Sequence, residues 1–273
     1  MPLRLVEGQY APGDPICADL MTDDLASAQE FYGSLFDWEY QDVGEHLRAI
    51  KGRRMAAGFG MMEALDLAGP RWWVCLAAPN IAEIEERAAR AGGSVSGAMD
   101  LQGLGRAAVL EDPQGATAVL WQPDKLEPGA LGAAHGGLVW SELVTDDPTR
   151  VASYYEDLFD LTAVPVDERG QGGYPGGALT LERKELEVRR AVAGIVPSEG
   201  SGGGSARGAR WRPYYQVDDL AAFLKAARSS GATVQDERGS ASGRPTAILR
   251  DPQGAEFGVV QGAASKQPED AET

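Results

Sequence analysis

Two stretches of the chain are copies of one another. Residues 20–38 read LMTDDLASAQEFYGSLFDW, and residues 143–161 read LVTDDPTRVASYYEDLFDL. Further along, EDPQGATAVLWQ begins at Glu111 and RDPQGAEFGVVQ begins at Arg250. Matches of this length in the same order along the chain indicate an internal duplication.

Each copy predicts the same succession of elements. A short apolar strand precedes Thr-Asp-Asp, where an aspartate can cap a helix whose apolar residues recur at helical spacing. The DPQG sequence is typical of a β-turn between two strands. Asn80 and Glu83 predict a capping box at the start of a second helix. Each half therefore divides into two modules of a strand, a helix and further strands, at residues 14–62, 71–122, 137–197 and 210–261.

The modules predict two domains of similar size. We assign residues 1–126 to the first domain and residues 137–262 to the second, with a linker at 127–136 that contains glycine and proline. Residues 263–273 are polar and acidic, and we expect a disordered tail there.

Composition narrows the classes of partner. The 273 residues carry a net charge of -16, which repels phosphate backbones and anionic lipids, so we expect neither nucleic acid nor a membrane as partner. The start of the chain has no apolar segment typical of a secretory signal, and two cysteines cannot form a disulfide framework. These features predict a cytoplasmic protein.

The repeated sequences resemble those of the vicinal oxygen chelate superfamily, which includes glyoxalase I and extradiol dioxygenases. The tandem arrangement is similar to the two-domain glyoxalase-like and bleomycin-resistance-like proteins of actinobacteria, some of which accompany antibiotic biosynthesis. The resemblance implies an α+β fold of tandem βαβββ modules, paired into two glyoxalase-like domains whose curved mixed sheets surround a cleft.

The resemblance also implies metal ligands, as His, Gln or Glu, on the first and last strands of each module. The first-strand positions fall on Cys17, Trp73, Trp140 and Arg212, and the last-strand positions fall near residues 58–60, on Val119, around Gly194 and on Gly258. Only Cys17 is an ordinary metal ligand. The two histidines, His46 and His135, lie outside this pattern. We therefore expect no metal and no cofactor.

Residues two apart on a strand share a face, so the first strands predict the residues that line each cleft. As ligand contacts we predict Cys17, Trp73, Cys75, Trp140, Tyr214 and Gln216. Asp19 and Glu142 occupy equivalent positions in the two halves and are the candidate acid–base groups. A structural interpretation stands beside each: the acids could brace the sheets, the tryptophans could be core, and the cysteines could be inert rather than nucleophilic.

The sequence leaves three functions open. The first is metal-independent binding of a small, largely apolar aromatic molecule, such as an antibiotic or natural product, for sequestration or self-resistance. The second is a metal-free tailoring enzyme, or an accessory to an oxygenase, that uses Asp19 or Glu142 as acid–base group. The third is a divalent-metal enzyme with relocated ligands. In each case the expected partner is a small aromatic molecule, and the protein is a monomer or a homodimer.

Overall fold

A computed structural model describes most of the chain. The described residues are 10–43, 46–61, 69–101, 105–123, 131–166, 179–185, 188–198, 208–238 and 244–262. The predicted tail at 263–273 lies outside these ranges, as do the glycines between residues 170 and 177. None of the helices in these ranges is long and apolar enough to cross a membrane.

The first half forms eight strands and two helices. In chain order they are β1 (Pro15–Thr22), α1 (Leu25–Phe36), β2 (Glu39–Asp42), β3 (His46–Lys51), β4 (Arg54–Met61), β5 (Arg71–Ala77), α2 (Ile81–Arg90), β6 (Ser94–Leu101), β7 (Gly105–Glu111) and β8 (Thr117–Pro123).

The second half repeats this order. Its elements are β9 (Leu138–Thr145), α3 (Pro148–Phe159), β10 (Thr162–Pro165), β11 (Leu179–Glu185), β12 (Val188–Pro197), β13 (Arg210–Val217), α4 (Leu220–Ser229), β14 (Thr233–Arg238), β15 (Thr246–Arg250) and β16 (Glu256–Gln261).

Each half builds one mixed sheet of eight strands. The strand orders are β2-β3-β4-β1-β5-β8-β7-β6 and β10-β11-β12-β9-β13-β16-β15-β14. In both sheets the first strands of the two modules pair antiparallel at the centre, as β1 with β5 and β9 with β13. The predicted α+β fold of tandem βαβββ modules is confirmed.

The helices begin where the sequence predicts. Asp24 and Asp147 cap α1 and α3, because each carboxylate accepts a backbone N–H three residues further on, both at 3.0 Å. Asn80 caps α2 in the same way through the N–H of Glu83, at 3.4 Å. The Glu83 carboxylate lies 3.2 Å from Arg87, one turn along the helix.

In each module three strands follow the helix. The first of the three, which is β2, β6, β10 or β14, lies at a sheet edge. β2 and β6 are largely exposed, and Met99 of β6 is 43% exposed. An edge strand with few buried side chains lacks the apolar alternation by which strands are recognised.

The hydrophobic cores do not follow the division between the halves. One core joins α1 and strands of the first sheet to α4 and strands of the second sheet. The other joins α2 to α3 and again contains residues of both sheets. The helices therefore pack between the two sheets. The sheets follow the predicted domains and the cores do not, so the assignment of two domains stays a prediction.

The described part of the linker is bound to both halves. Trp38 Nε1 donates to the carbonyl oxygen of Gly136 at 3.1 Å, and His135 Nε2 lies 3.0 Å from the carbonyl oxygen of Leu35. On the other side, the backbone N–H of Gly136 donates to the carbonyl oxygen of Gln216. This segment therefore fixes the start of β9 against α1 and β13.

Candidate functional site

The central strands give each sheet two different faces. On β1, Ala18 and Leu20 pack in the core that contains α1. Cys17 and Met21 point to the opposite side, where they form a smaller cluster with Trp73 and Cys75 of β5. We call this side of each sheet the helix-free face. The predicted sharing of faces along β1 and β5 is confirmed, because side chains alternate along a strand.

Asp19 lies at the centre of the first helix-free face. It is paired with Trp73 in the β1–β5 ladder, and Cys75 Sγ donates to its Oδ2 at 3.4 Å. Burial raises the pKa of the Asp19 carboxyl, although the Cys75 thiol, His46, Arg48 and the Gly58 backbone act against the shift. A carboxyl with a raised pKa keeps its proton at a higher pH than an exposed aspartate does.

The two cysteines are partners in the same ladder. Cys17 lies directly opposite Cys75, and both are free thiols. The hydrogen bond with Cys75 lowers the pKa of Cys17, but burial and the Asp19 carboxylate outweigh it and raise the pKa. The bond with Cys17, together with burial, raises the pKa of Cys75 well above its usual range. Both thiols are therefore protonated at neutral pH, which opposes a role as nucleophile.

Two basic side chains near Asp19 were missed by the sequence analysis. His46 and Arg48 belong to β3, and both lower the pKa of Asp19. Their ladder partners on β4 are Gly60 and Gly58, so no side chain stands between β3 and β1 at these positions. The sequence did contain a signal for this arrangement. Gly58 and Gly60 stand at alternate positions of β4, and such glycines leave open space on one face of the sheet.

The second helix-free face contains a buried network of charges. Glu142 is 1% exposed, and its Oε2 accepts hydrogen bonds from Arg212 Nη2 at 2.9 Å and from Tyr214 Oη at 2.7 Å. Arg212 Nη1 also donates to Glu256 Oε1 at 3.1 Å. Burial and Glu142 raise the pKa of Tyr214 well above its usual range. The Glu142 carboxylate thus accepts hydrogen bonds from an arginine and a tyrosine, whereas the Asp19 carboxylate accepts one from a thiol.

Glu256 ties this network to the neighbouring strands. Arg210 Nη2 donates to Glu256 Oε1 at 2.8 Å, and Arg250 lies 3.6 Å from the other carboxylate oxygen. Burial acts to raise the pKa of Glu256, but Arg210, Arg212 and Arg250 outweigh it and lower the pKa. The sequence analysis did not single out Glu256, since the first copy has Thr117 at this position after the turn.

The tryptophans predicted as ligand contacts are both buried. Trp73 is 5% exposed and Trp140 is 6% exposed. Among the described residues, the Nε1 of Trp73 has no hydrogen-bond partner. Trp140 borders a recess between the halves, which Leu138, Arg190 and Val192 also line. Gln216 accepts a hydrogen bond from Arg244 through its side-chain oxygen at 3.1 Å.

The structure gathers the predicted site residues into two separate sets. Cys17, Asp19, Trp73 and Cys75 lie on the first helix-free face, whereas Trp140, Glu142, Tyr214 and Gln216 lie on the second sheet. All members of the second set are buried, and Glu142 and Tyr214 bond to each other. In the first set Cys17 and Asp19 are half-buried, as are the adjoining Val109 and Trp121. The first face is therefore the more accessible.

The metal ligands implied by the resemblance do not fit the residues present. Gly58 of β4 occupies one of the last-strand ligand positions, and a Cβ there would overlap Asp19 Oδ1. Gly258 of β16 occupies another, and a Cβ there would overlap the Tyr214 ring. Side chains of the first strands thus occupy the space that a ligand from the last strands would need. We therefore derive no chemical step through a metal at these positions.

One group of described residues could nevertheless hold an ion. The ligand atoms of Cys17, Asp19 and Cys75 all lie within 4.8 Å of one another. Two thiols and one carboxylate form a soft donor set, unlike the His, Gln and Glu of the resemblance. A metal would have to displace protons from thiols whose pKa values are raised.

Sequence comparisons agree with this architecture. A family model described as glyoxalase-like domain matches residues 141–260. A Mycobacterium tuberculosis protein named as a glyoxylase, CFP32, is 29% identical over 96% of this chain and 99% of its own length. Anthracycline biosynthesis protein DauV of Streptomyces sp. strain C5 is 28% identical over 93% of this chain and 94% of its own. Both relatives therefore match along both halves.

Solved structures show the same fold. The Mn(II)-bound glyoxalase of Novosphingobium aromaticivorans superposes with a TM-score of 0.61 at 12% identity, over 92% of this chain and 83% of that one. The 2,2',3-trihydroxybiphenyl 1,2-dioxygenase of Sphingomonas wittichii gives 0.60 at 12% identity, over 95% and 94%. Residues 141–260 therefore match the glyoxalase-like domain family, and the chain shares the fold of these solved structures.

Proposed function

We propose that the protein binds a small, largely apolar aromatic molecule on the first helix-free face, without a metal such as the Mn(II) of the Novosphingobium glyoxalase. The observation that carries the proposal is the pairing of the buried Trp73 with the half-buried Asp19 on the more accessible face. The half-buried indole of Trp121 lies in the same cluster as Trp73 and offers a flat surface on which an aromatic ring can stack. Val109 extends that apolar surface.

The names of two relatives support an aromatic natural product. DauV and DnrV are described as anthracycline biosynthesis proteins, and anthracyclines are flat polycyclic molecules. Binding without conversion would suit sequestration or self-protection in a cell that makes such a compound. The negative charge of the chain suits a ligand that carries an amine, since opposite charges favour encounter.

The binding test uses an anthracycline and native mass spectrometry. We expect a complex of one protein and one ligand, with the ligand mass unchanged after release. Trp73→Leu should weaken binding by about tenfold, because it removes the indole that supports the ligand-binding surface from below. Trp211→Leu is the control, since Trp211 lies in the hydrophobic core that contains α2 and α3 and not on the first helix-free face. Equal binding by wild type and Trp73→Leu would remove the first face as the site.

A second function is favoured by the raised pKa of Asp19. A half-buried carboxyl that titrates closer to neutral pH could act as the acid–base group of a metal-free tailoring enzyme. Glu142 is less suited to this role because Arg212 and Tyr214 both bond to its carboxylate. A new ligand mass that forms with wild type and not with Asp19→Asn would favour the enzyme over the binding protein.

A third function follows from the group formed by Cys17, Asp19 and Cys75. These residues are candidates for the relocated ligands of a metal enzyme. The raised pKa values of both thiols weigh against it, because a bound metal requires thiolates. A stoichiometric ion in the purified protein would favour this function over both others.

A further inference from the structure

Trp73 differs from the other tryptophans that are buried in the cores. Trp38 donates to Gly136 O at 3.1 Å, Trp72 to Tyr32 Oη at 3.0 Å and Trp211 to Tyr155 Oη at 3.1 Å. The Nε1 of Trp73 is equally shielded from water but has no partner among the described residues. An unsatisfied buried N–H is costly, and the remedy is an acceptor from outside the chain.

The equivalent acids of the two halves, Asp19 and Glu142, have different partners in their ladders. In the β9–β13 ladder Glu142 is paired with Arg212, which donates to it. In the β1–β5 ladder the same pairing joins Asp19 to Trp73, whose indole occupies the place of the arginine. In the second half Oε2 of the acid therefore has two internal donors, whereas Oε1 has no partner among the described residues. The first half therefore pairs its acid with a residue whose indole N–H has no partner among the described residues.

A ligand that satisfies both groups must accept one hydrogen bond and donate another. A carbonyl or an ether oxygen only accepts, and an ammonium group only donates. A carboxylate only accepts and is repelled by Asp19. A hydroxyl group does both through one oxygen, which suits two side chains that are directly opposed across a ladder.

We infer that the aromatic ligand of the first helix-free face carries a ring hydroxyl, which accepts from Trp73 Nε1 and donates to the Asp19 carboxylate. This inference rests on the proposed function and specifies the class of ligand. The hydroxyl lies at the inner edge of the ligand, and the ring extends over the side chains of Val109 and Trp121.

The test compares 2-naphthol with 2-methylnaphthalene, which has the same shape without the hydroxyl. Equilibrium dialysis at neutral pH measures the affinity of each compound, and 2-naphthylamine and 2-naphthoate complete the series. We expect 2-naphthol to bind at least about tenfold more tightly than each of the other three. The series uses the wild-type protein, so it does not depend on any variant that folds poorly.

Variants then assign the hydroxyl to its partners. Trp73→Phe and Asp19→Asn should each reduce the preference for 2-naphthol over 2-methylnaphthalene to a few-fold, whereas Trp211→Phe should leave it unchanged. Equal binding of 2-naphthol and 2-methylnaphthalene would overturn the inference and leave the proposed function in place. Preference for the amine or the carboxylate would also overturn it. Failure of every compound and of the anthracycline to bind would remove the proposed function itself.

Discussion

Tyr32 and Asp251 lie 219 residues apart in the chain, and Tyr32 Oη donates to Asp251 Oδ2 at 2.9 Å inside the core. Tyr32 in turn accepts from Trp72 Nε1 at 3.0 Å. The equivalent residues form the same contact in the opposite direction. Tyr155 Oη, in the second half, donates to Asp112 Oδ2, in the first half, at 3.4 Å. The aspartates belong to the two DPQG turns, so each turn is bound to a helix of the opposite half.

The first prediction concerns these tyrosines. Tyr155→Phe should lower the free energy of unfolding by about 1–3 kcal/mol, because it leaves Asp112 and the Trp211 indole without their partner. Urea denaturation measures the change. Tyr154→Phe is the control on the same helix, since the Tyr154 hydroxyl has no hydrogen-bond partner among the described residues. Equal losses in the two variants would show that the hydrogen bond contributes nothing.

The contact between Tyr32 and Asp251 marks the limit of what the repeat could predict. The helical spacing after each Thr-Asp-Asp predicts the helices that carry Tyr32 and Tyr155, and DPQG predicts a turn; the structure agrees with both. The sequence could not show that the aspartate of one turn meets the tyrosine of the other half. Local patterns fix elements and faces, but the partner of a buried polar group depends on how the sheets pack.

The site shows the same division between local and distant information. Alternation along β1 and β5 was enough to place Cys17, Asp19, Trp73 and Cys75 on one face. The approach of His46 was missed because it depends on the pairing of β3 with β4. That pairing brings a distant strand next to β1 across two glycines, and no short-range pattern records it.

The second prediction concerns pH. Because the pKa of Asp19 is raised in the folded state, its ionisation opposes folding. The wild type should therefore lose stability relative to Asp19→Asn as pH rises from about 4 through the folded pKa. Asp24→Asn should show the opposite trend, because the hydrogen bonds of Ser27 lower the pKa of Asp24. Its loss of stability relative to wild type should shrink as pH falls. Urea midpoints between pH 4 and pH 8 test the trend for Asp19→Asn, and midpoints measured below about pH 4 test the trend for Asp24→Asn. Parallel curves for Asp19→Asn and wild type contradict the first trend.

The third prediction concerns the buried charges of the second face. Arg212→Met should cost about 3–5 kcal/mol of unfolding free energy, because it leaves Glu142 and Glu256 without a cation they both contact. Adding Glu142→Gln to this variant should recover part of the loss, since it removes one of the uncompensated charges. Arg228→Met is the control, because Arg228 pairs with Glu237 at the surface and such pairs contribute about 0–1 kcal/mol. A double variant less stable than Arg212→Met alone would contradict the assigned pairing.

The fourth prediction concerns metal content. Cys17, Asp19 and Cys75 are close enough to share an ion, but the pKa values of both thiols are raised, for Cys75 by the hydrogen bond with Cys17 and by burial, and for Cys17 by burial and the Asp19 carboxylate. We expect elemental analysis of the purified protein to find no stoichiometric zinc, iron, manganese or nickel. Added cadmium should produce no thiolate charge-transfer absorption at neutral pH, because binding would first have to remove the thiol protons. Cys17→Ser is the matched variant, and it should be indistinguishable from wild type in both measurements. One ion per chain in the wild type that is lost in Cys17→Ser would instead place a relocated metal centre on the first helix-free face, and would exclude the proposed metal-independent binding.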